Sequence, residues 1–140
     1  MSLRTLADFE GRWRILREID DRRAGQVGQF EGTATLTVDA QGLIYAETGT
    51  LRIGTSAPMQ ADRTYLWRDE GGRIAVLFDD GRPFHSFALA TDTPGADHWC
   101  DPDTYRVTYD FSPWPNWSAE WAVTGPRKDY VMVSYYAPAA

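Results

Sequence analysis

The sequence is poor in cysteine and in long apolar runs, and each shortage excludes a class of protein. A single cysteine, Cys100, cannot form a disulfide within the chain, and the N-terminus lacks the charged start and apolar core of a secretion signal. We therefore expect a cytoplasmic protein. No apolar run approaches the roughly 20 residues that cross a bilayer, so no membrane partner is expected.

Positive charge is also in short supply. Fourteen Lys and Arg face twenty Asp and Glu, for a net charge of −6. Phosphate backbones are bound by clustered Lys and Arg, so no nucleic acid partner is expected. The one basic stretch includes Arg12, Arg14 and Arg17, but alternation separates the first two from the third. We interpret it as a solvated strand face without a partner.

Aromatic residues, in contrast, are abundant. Six Trp, seven Tyr and six Phe make up 14% of the 140 residues. A chain of this length and composition is globular and forms a single domain over residues 1–140. So many rings must either fill a core or offer a surface to a ligand.

Short segments of alternating apolar and polar residues run through the whole chain. Turn signals separate them at intervals near ten residues, which is typical of an all-β barrel or sandwich, and no segment leaves room for βαβ units. Leu3, Leu6 and Phe9 lie three apart and predict a helical turn. We therefore predict one closed antiparallel β-barrel of about ten strands, entered through a short N-terminal helical turn. The predicted strands are residues 11–19, 27–38, 43–53, 59–68, 73–79, 83–90, 97–100, 105–111, 117–124 and 128–137.

The first predicted strand opens with Gly11 and Trp13. Glycine lets a backbone pass close to its neighbours, and an indole is large enough to plug the end of a small barrel. We expect Trp13 to be buried at a closed end, beneath the helical turn.

Three charged residues fall on the inner faces of predicted strands: Arg17, Glu47 and Arg63. An ion inside a barrel must be paired or hydrogen-bonded, because its desolvation otherwise costs several kcal/mol. Either the three pair with one another, or a surplus arginine binds a carboxylate or phenolate ligand. The pattern leaves both interpretations open.

The densest group of reactive side chains is His98-x-Cys100-x-x-Asp103-x-Tyr105. With His85 it contains zinc-type ligands, but only one closely spaced pair, so no metal and no cofactor is assigned. Cys100 with a histidine also fits a nucleophile and its base, although no known signature surrounds them. The plain alternative is a small buried Cys100 beside a hydrogen-bonded His98. We interpret this group as the rim of a cavity.

These observations predict a barrel that binds a small polar or anionic, partly aromatic molecule. Two alternatives stay open: a small hydrolase or isomerase using His98, Cys100 and Asp103, with or without a metal, and a filled barrel with a structural or interaction role. The oligomeric state is also open, a homodimer included. The candidate ligand-binding residues are Arg17, Glu47, Arg63, Tyr65, His85, His98, Cys100, Asp103, Tyr105, Trp121, Lys128 and Tyr130.

Several motifs together resemble an uncharacterised bacterial and fungal family of calycin-like proteins, related in fold to lipocalins and fatty-acid-binding proteins. The resemblance implies a calycin-like barrel with a site, and no reaction. In lipocalins an arginine from the last strand covers the tryptophan, which implies that role here for Arg127 or Lys128. The motifs are Gly11-x-Trp13-x-x-x-Arg17-x-Ile19, Tyr45-x-Glu47-x-Gly49, Phe84-His85, His98-x-Cys100-x-x-Asp103-x-Tyr105 and Gly125-Pro126-Arg127-Lys128-Asp129-Tyr130.

The chain departs from the better-known calycins at three points. Its first loop is too short for the two-helix lid of fatty-acid-binding proteins, and no helix of the lipocalin kind follows the last predicted strand. No histidine lies on the last strands, where nitrobindins hold haem. Long-chain fatty acids and haem are therefore not the expected ligands.

Overall fold

The computed structural model describes residues 4–139, and nearly all of them lie in β-strands. A 3-10 turn, Leu6–Phe9, precedes ten strands whose ends lie within two residues of the predicted ones. The all-β prediction is therefore confirmed, including its N-terminal turn, although Leu3 of the predicted turn lies outside the described residues. Within these residues no helix is long and apolar enough to cross a bilayer. The strands are β1 Gly11–Asp21, β2 Gln26–Val38, β3 Gly42–Ile53, β4 Met59–Asp69, β5 Arg73–Phe78, β6 Pro83–Ala88, β7 Gly95–Cys100, β8 Asp103–Asp110, β9 Trp117–Gly125 and β10 Lys128–Pro138.

The ten strands form one antiparallel sheet in the order β6-β5-β4-β3-β2-β1-β10-β9-β8-β7. The first strand therefore pairs with the last, and the sheet curls into a barrel. Closure differs from the prediction at one place, because no ladder of hydrogen bonds joins β6 to β7 in the described part of the chain. Side chains bridge that seam instead: the rings of Phe84 on β6 and His98 on β7 lie 5.1 Å apart. The barrel is nearly closed.

Aromatic rings fill the end of the barrel beneath the 3-10 turn. Phe9 is completely buried, and the indole Nε1 of Trp13 donates a hydrogen bond to the Phe9 carbonyl oxygen at 3.0 Å. This confirms the predicted burial of Trp13 at a closed end. The rings within 6.5 Å of the Phe9 ring are Trp67, Phe87, Phe111, Trp114 and Trp117.

The role expected of Gly11 was wrong. A Cβ at this position would meet nothing within 4 Å, so no neighbouring backbone passes close to it. Its φ is +131°, a conformation that side chains disfavour, and this explains the glycine. The close approach lies at Gly32 and Gly49, which face each other on β2 and β3, where a Cβ on either would collide with the facing backbone.

Neither Arg127 nor Lys128 covers Trp13, contrary to the expectation from lipocalins. Trp13 pairs with Pro138 at the end of β10, whereas Lys128 begins that strand. At about 3.3 Å per residue, the strand separates them by roughly 30 Å. The ring that packs on Trp13 here is Trp114, at 5.7 Å between ring centres, and the Arg4 guanidinium lies 5.6 Å from the Trp114 ring centre.

Candidate ligand-binding site

The barrel encloses a cavity of about 360 Å³ above the closed end. Small-molecule sites are typically clefts of about 300 to 1,000 Å³, so this cavity has the size of one. The barrel interior is therefore not completely filled. The lining residues are Arg17, Tyr45, Glu47, Arg63, Tyr65, Trp67, Val76, Phe78, Phe84, His85, His98, Cys100, Tyr105, Tyr109, Trp117, Ala119, Trp121, Val123, Tyr130, Met132 and Tyr136.

Burial of the lining residues shows which way the cavity opens. Trp67, Tyr109 and Trp117 are buried and form its floor against the closed end. Arg63 and Cys100 are exposed and mark its mouth. A ligand would therefore meet polar groups at the entrance and rings further in.

Arg17 and Glu47 form a buried ion pair in the cavity wall. The guanidinium donates two hydrogen bonds to the carboxylate, at 2.8 and 3.0 Å, and a third to Ser134 Oγ at 2.7 Å. The Tyr45 hydroxyl donates to Glu47 Oε1 at 2.5 Å and lies 2.8 Å from the Tyr136 hydroxyl. Burial alone would raise the pKa of Glu47, but the hydrogen bond and charge of Arg17 outweigh it, so this pKa is lowered. The pair is therefore fully charged and satisfied.

Arg63 is the surplus cation of this cavity. It lies beside Glu47 in the β3–β4 register, but the Glu47 carboxylate is already occupied by Arg17 and Tyr45. Among residues 4–139, no carboxylate lies within salt-bridge distance of Arg63. Arg17 and Glu47 cancel each other, so Arg63 adds a net positive charge at the mouth.

His85 places a neutral polar group deep in the cavity wall. Its Nε2 lies 2.8 Å from the Tyr109 hydroxyl, while its buried Nδ1 has no hydrogen-bond partner among the described residues. Burial, with repulsion from His98, lowers the pKa of His85 to about 3. The imidazole is therefore neutral near pH 7, and Nδ1 is a buried donor or acceptor, depending on the tautomer, that no described residue satisfies.

Tyr105 lines the cavity, and its hydroxyl is bonded by Lys128, which lies outside the cavity lining. Lys128 Nζ donates to the Tyr105 hydroxyl at 2.9 Å and forms an ion pair with Asp103 at 3.0 Å. These bonds to Tyr105 and Asp103 raise the pKa of Lys128, which stays charged. Because the lysine donates, the Tyr105 hydroxyl keeps its own proton to donate elsewhere.

The structure gathers most of the predicted site residues around one cavity. Asp103 and Lys128 do not line it, and bind each other behind Tyr105. Cys100 is exposed, which contradicts the alternative of a small buried cysteine. The predicted residues that line the cavity are Arg17, Glu47, Arg63, Tyr65, His85, His98, Cys100, Tyr105, Trp121 and Tyr130.

His98, Cys100 and Asp103 do not form a hydrogen-bonded relay. Within the described chain, no hydrogen bond joins any two of their side chains, and Asp103 bonds Lys128 instead. Residues 4–139 also contain no group of three or more His, Cys, Asp or Glu side chains that could hold a metal ion. The arrangement can bind and orient a ligand, but it does not present an assembled nucleophile and base.

Sequence reasoning missed Phe84 as a wall of the cavity. Val76 pairs with His85 and Leu77 with Pro83, so Phe84 is the extra residue of a bulge and lines the cavity together with His85. Strict alternation turns one of two consecutive residues outward, so no signal in the sequence predicts this. Tyr45 and Tyr136 were also missed. Tyr45 could have been found, because it lies two residues before Glu47 and so shares the inward face of the same strand.

Comparison with solved structures supports a calycin-like barrel. The S-type phycobiliprotein lyase CpeS from Guillardia theta superposes with a TM-score of 0.65 at 13% sequence identity, over 96% of this chain and 90% of that one. A protein of unknown function from the DUF3598 family of Nostoc punctiforme gives a TM-score of 0.58 at 11% identity. That match covers 97% of this chain but only 49% of the other.

Sequence comparison defines the family without supplying an activity. No curated protein matches the chain. A family model does match, and it covers residues 9–138, from Phe9 at the end of the 3-10 turn to the end of β10. The chain therefore belongs to a family of unknown function, DUF6314.

Proposed function

We propose that the barrel binds a small molecule with an aromatic body and one anionic group. The observation that carries this proposal is the surplus charge of Arg63 at the mouth of a cavity walled by rings. A charge-assisted hydrogen bond to a ligand anion would use that charge, and bidentate recognition suits a carboxylate or sulfonate.

The ring walls support an aromatic body. Phe84 stacks on Trp121 with centroids 5.1 Å apart and planes 9° apart, and it stacks on Phe78 at 4.6 Å. Tyr65 lies 5.7 Å from Phe84 at 23°. These nearly parallel rings offer flat surfaces against which a planar ligand gains stacking contacts.

Donors near the mouth support an anionic end. Tyr130 lies within electrostatic reach of Arg63 and of the Tyr105–Lys128 pair, and burial is the largest cause that raises its pKa. The Tyr130 hydroxyl is therefore protonated near pH 7, and with the Tyr105 hydroxyl it can join Arg63 around a carboxylate or sulfonate.

Binding explains these features better than catalysis does. The solved barrel from Guillardia theta is named a phycobiliprotein lyase, but at 13% identity the likeness supports the architecture alone. A hydrolase or isomerase built on His98, Cys100 and Asp103 would need a relay, and Asp103 is engaged by Lys128. We therefore assign His98 and Cys100 to the rim of a binding site, with Asp103 behind it.

A pair of fluorescent probes tests the proposal. 8-Anilinonaphthalene-1-sulfonate carries an aromatic body and an anion, and N-phenyl-1-naphthylamine is its uncharged counterpart. We expect the sulfonate to bind at least about tenfold more tightly, since a charge-assisted hydrogen bond contributes about 1.5 to 3 kcal/mol. The R63Q variant should remove that preference and leave the affinity for the uncharged probe within about twofold.

Two controls make the result specific. Near-ultraviolet circular dichroism must show that R63Q keeps its packed rings, because loosened proteins also bind such dyes. R127Q alters an exposed arginine outside the cavity lining and should change neither affinity. Equal affinity of the wild-type protein for both probes, or no binding of either, would contradict the proposal. Native mass spectrometry of freshly purified protein then identifies any ligand retained from the cell.

A further inference from the structure

We propose that the protein forms a homodimer in which the outer faces of β1 and β10 pack on the same faces of a second copy. The inference is independent of the cavity, because it concerns the side chains that alternate outward on these strands. It depends on a self-complementary charge pattern along β1 and on an apolar row along the neighbouring strand β10.

The outward residues of β1 change sign once along the strand. Arg12 and Arg14 come first, Leu16 lies in the middle, and Glu18 and Asp20 follow, all of them exposed. In residues 4–139, Arg12, Arg14 and Glu18 form no salt bridge, and Asp20 makes only a long contact of 3.9 Å with Arg22. The strand therefore presents two positive side chains on one side of an apolar centre and two negative side chains on the other.

The outward residues of β10 are apolar after Asp129, the first of them. The later outward positions carry Val131, Val133, Tyr135 and Ala137, where the outer face of a barrel in water is usually polar. Tyr135 pairs with Leu16 across the ladder, and the two side chains are 49% and 43% exposed. Contiguous apolar surface rimmed by charge is typical of protein interfaces.

The charge pattern selects a second copy as the occupant. A two-fold axis that lies in the interface and crosses the strands at Leu16 runs the two β1 strands antiparallel. Arg14 then faces Glu18 of the other copy, and the reverse pair forms by symmetry, as in an isologous interface. An axis along β1 would place all four of its outward charges against their own copies, whereas the crossing axis places only Glu31, the neighbour of Leu16 on β2, against itself.

The same axis also matches the shape of the barrel. It stacks the two β10 rows, so that Tyr135 lies at the centre of the apolar contact. The outer face of a barrel is convex, so the two sheets diverge away from this centre. The long arginine and glutamate side chains lie where the gap widens and can bridge it.

Charge reversal tests this dimer directly. Sedimentation equilibrium should show a dimer of the wild-type protein. R14E and E18R should each raise the dissociation constant of the dimer at least about tenfold. The double variant R14E/E18R restores opposite charges across the axis and should return the constant to within about threefold of wild type. L16K, which puts a charge at the apolar centre, should give monomers.

The controls separate this interface from general charge effects. R127E reverses an exposed charge away from this face and should leave the wild-type dimer intact. Raising the salt concentration should weaken the wild-type dimer, because exposed ion pairs are screened. A wild-type protein that stays monomeric up to about 1 mM overturns the proposal, and then the apolar row covers another partner. A dimer that survives L16K and both single reversals also overturns it.

Discussion

The two ends of the barrel are built from the same kind of residue but differ in what the rings contact. At the closed end, Phe9 is surrounded by other rings and Trp13 bonds a backbone carbonyl. Toward the open end, rings such as Phe84 and Tyr105 share the wall with Arg63 and Cys100. The closed end buries apolar surface completely, whereas the open end leaves charge and hydrogen-bonding groups facing a cavity. Packing is therefore concentrated at the closed end, and the proposed recognition of a ligand at the open end.

The largest expected effect is at the closed end. Phe9→Ala removes a fully buried ring and should lower the free energy of unfolding by about 4 kcal/mol. Phe84→Ala, at the half-buried open end, should cost about half as much and weaken binding of the sulfonate probe. Denaturant unfolding and probe titration of both variants check this. Equal losses of stability would remove the distinction between the two ends.

The buried ion pair lies between the two ends and should come next. Glu47→Leu leaves Arg17 buried without its carboxylate, which should cost about 3 kcal/mol of unfolding free energy. The double variant Arg17→Met with Glu47→Leu should recover at least half of that loss, because no charge is left unpaired. A double-mutant cycle by chemical denaturation measures the coupling. Additive losses would show that Arg17 and Glu47 stabilise the barrel independently.

Acid should destabilise the barrel through His85. Its pKa is about 3 in the folded protein and 6.5 ordinarily, so the unfolded chain binds an extra proton between these values. The contribution is fully present above pH 6.5 and is lost as the pH falls, by about 1.4 kcal/mol per pH unit. Between pH 6.5 and 5 the His85 contribution therefore decreases by about 2 kcal/mol.

The His85→Phe variant isolates that contribution. Unfolding free energies measured from pH 7 to pH 5 should fall less steeply in the variant than in the wild type. Above pH 5 most carboxylates keep their charge, so the difference in slope reports the histidine. Identical slopes would mean that burial does not lower the pKa of His85 in the folded barrel.

The smallest effect on stability is expected at the rim. Asp103→Ala removes the partner of a lysine whose side chain is 41% exposed, and such pairs contribute about 1 kcal/mol or less. Affinity for the sulfonate probe should nevertheless fall several-fold, because Lys128 no longer holds the Tyr105 hydroxyl in place. His98→Ala should behave similarly. A fall of many degrees in melting temperature with unchanged affinity would make this motif a structural turn.

The elements of the fold were readable from the sequence, and so was the inward face of most strands. Trp13, Ile15 and Arg17 alternate with exposed residues, and the structure buries all three. Such a pattern can be read locally, because a pleated strand turns successive side chains to opposite faces. The seam between β6 and β7 could not be predicted, since it depends on how the whole sheet curls.

The membership of the site was only partly readable. The alternation of residues predicted that Arg17, Glu47 and Arg63 face inward, but it did not predict which of them pair. That pairing follows from distance across the barrel, where Arg17 on β1 reaches Glu47 on β3. Asp103 was predicted in the rim group, yet it bonds Lys128 outside the cavity lining. Phe84 faces the cavity because of a β-bulge, which the alternation of residues does not predict.

By itself, the sequence determined ten strands, an N-terminal turn and which side chains face inward, because each follows from contacts between near neighbours along the chain. Only the tertiary structure decided that Glu47 neutralises Arg17 and leaves Arg63 as the surplus charge at the mouth. It also decided that the rings leave a cavity of about 360 Å³. Both depend on strand register and on the closure of the sheet, which bring together residues far apart in the chain.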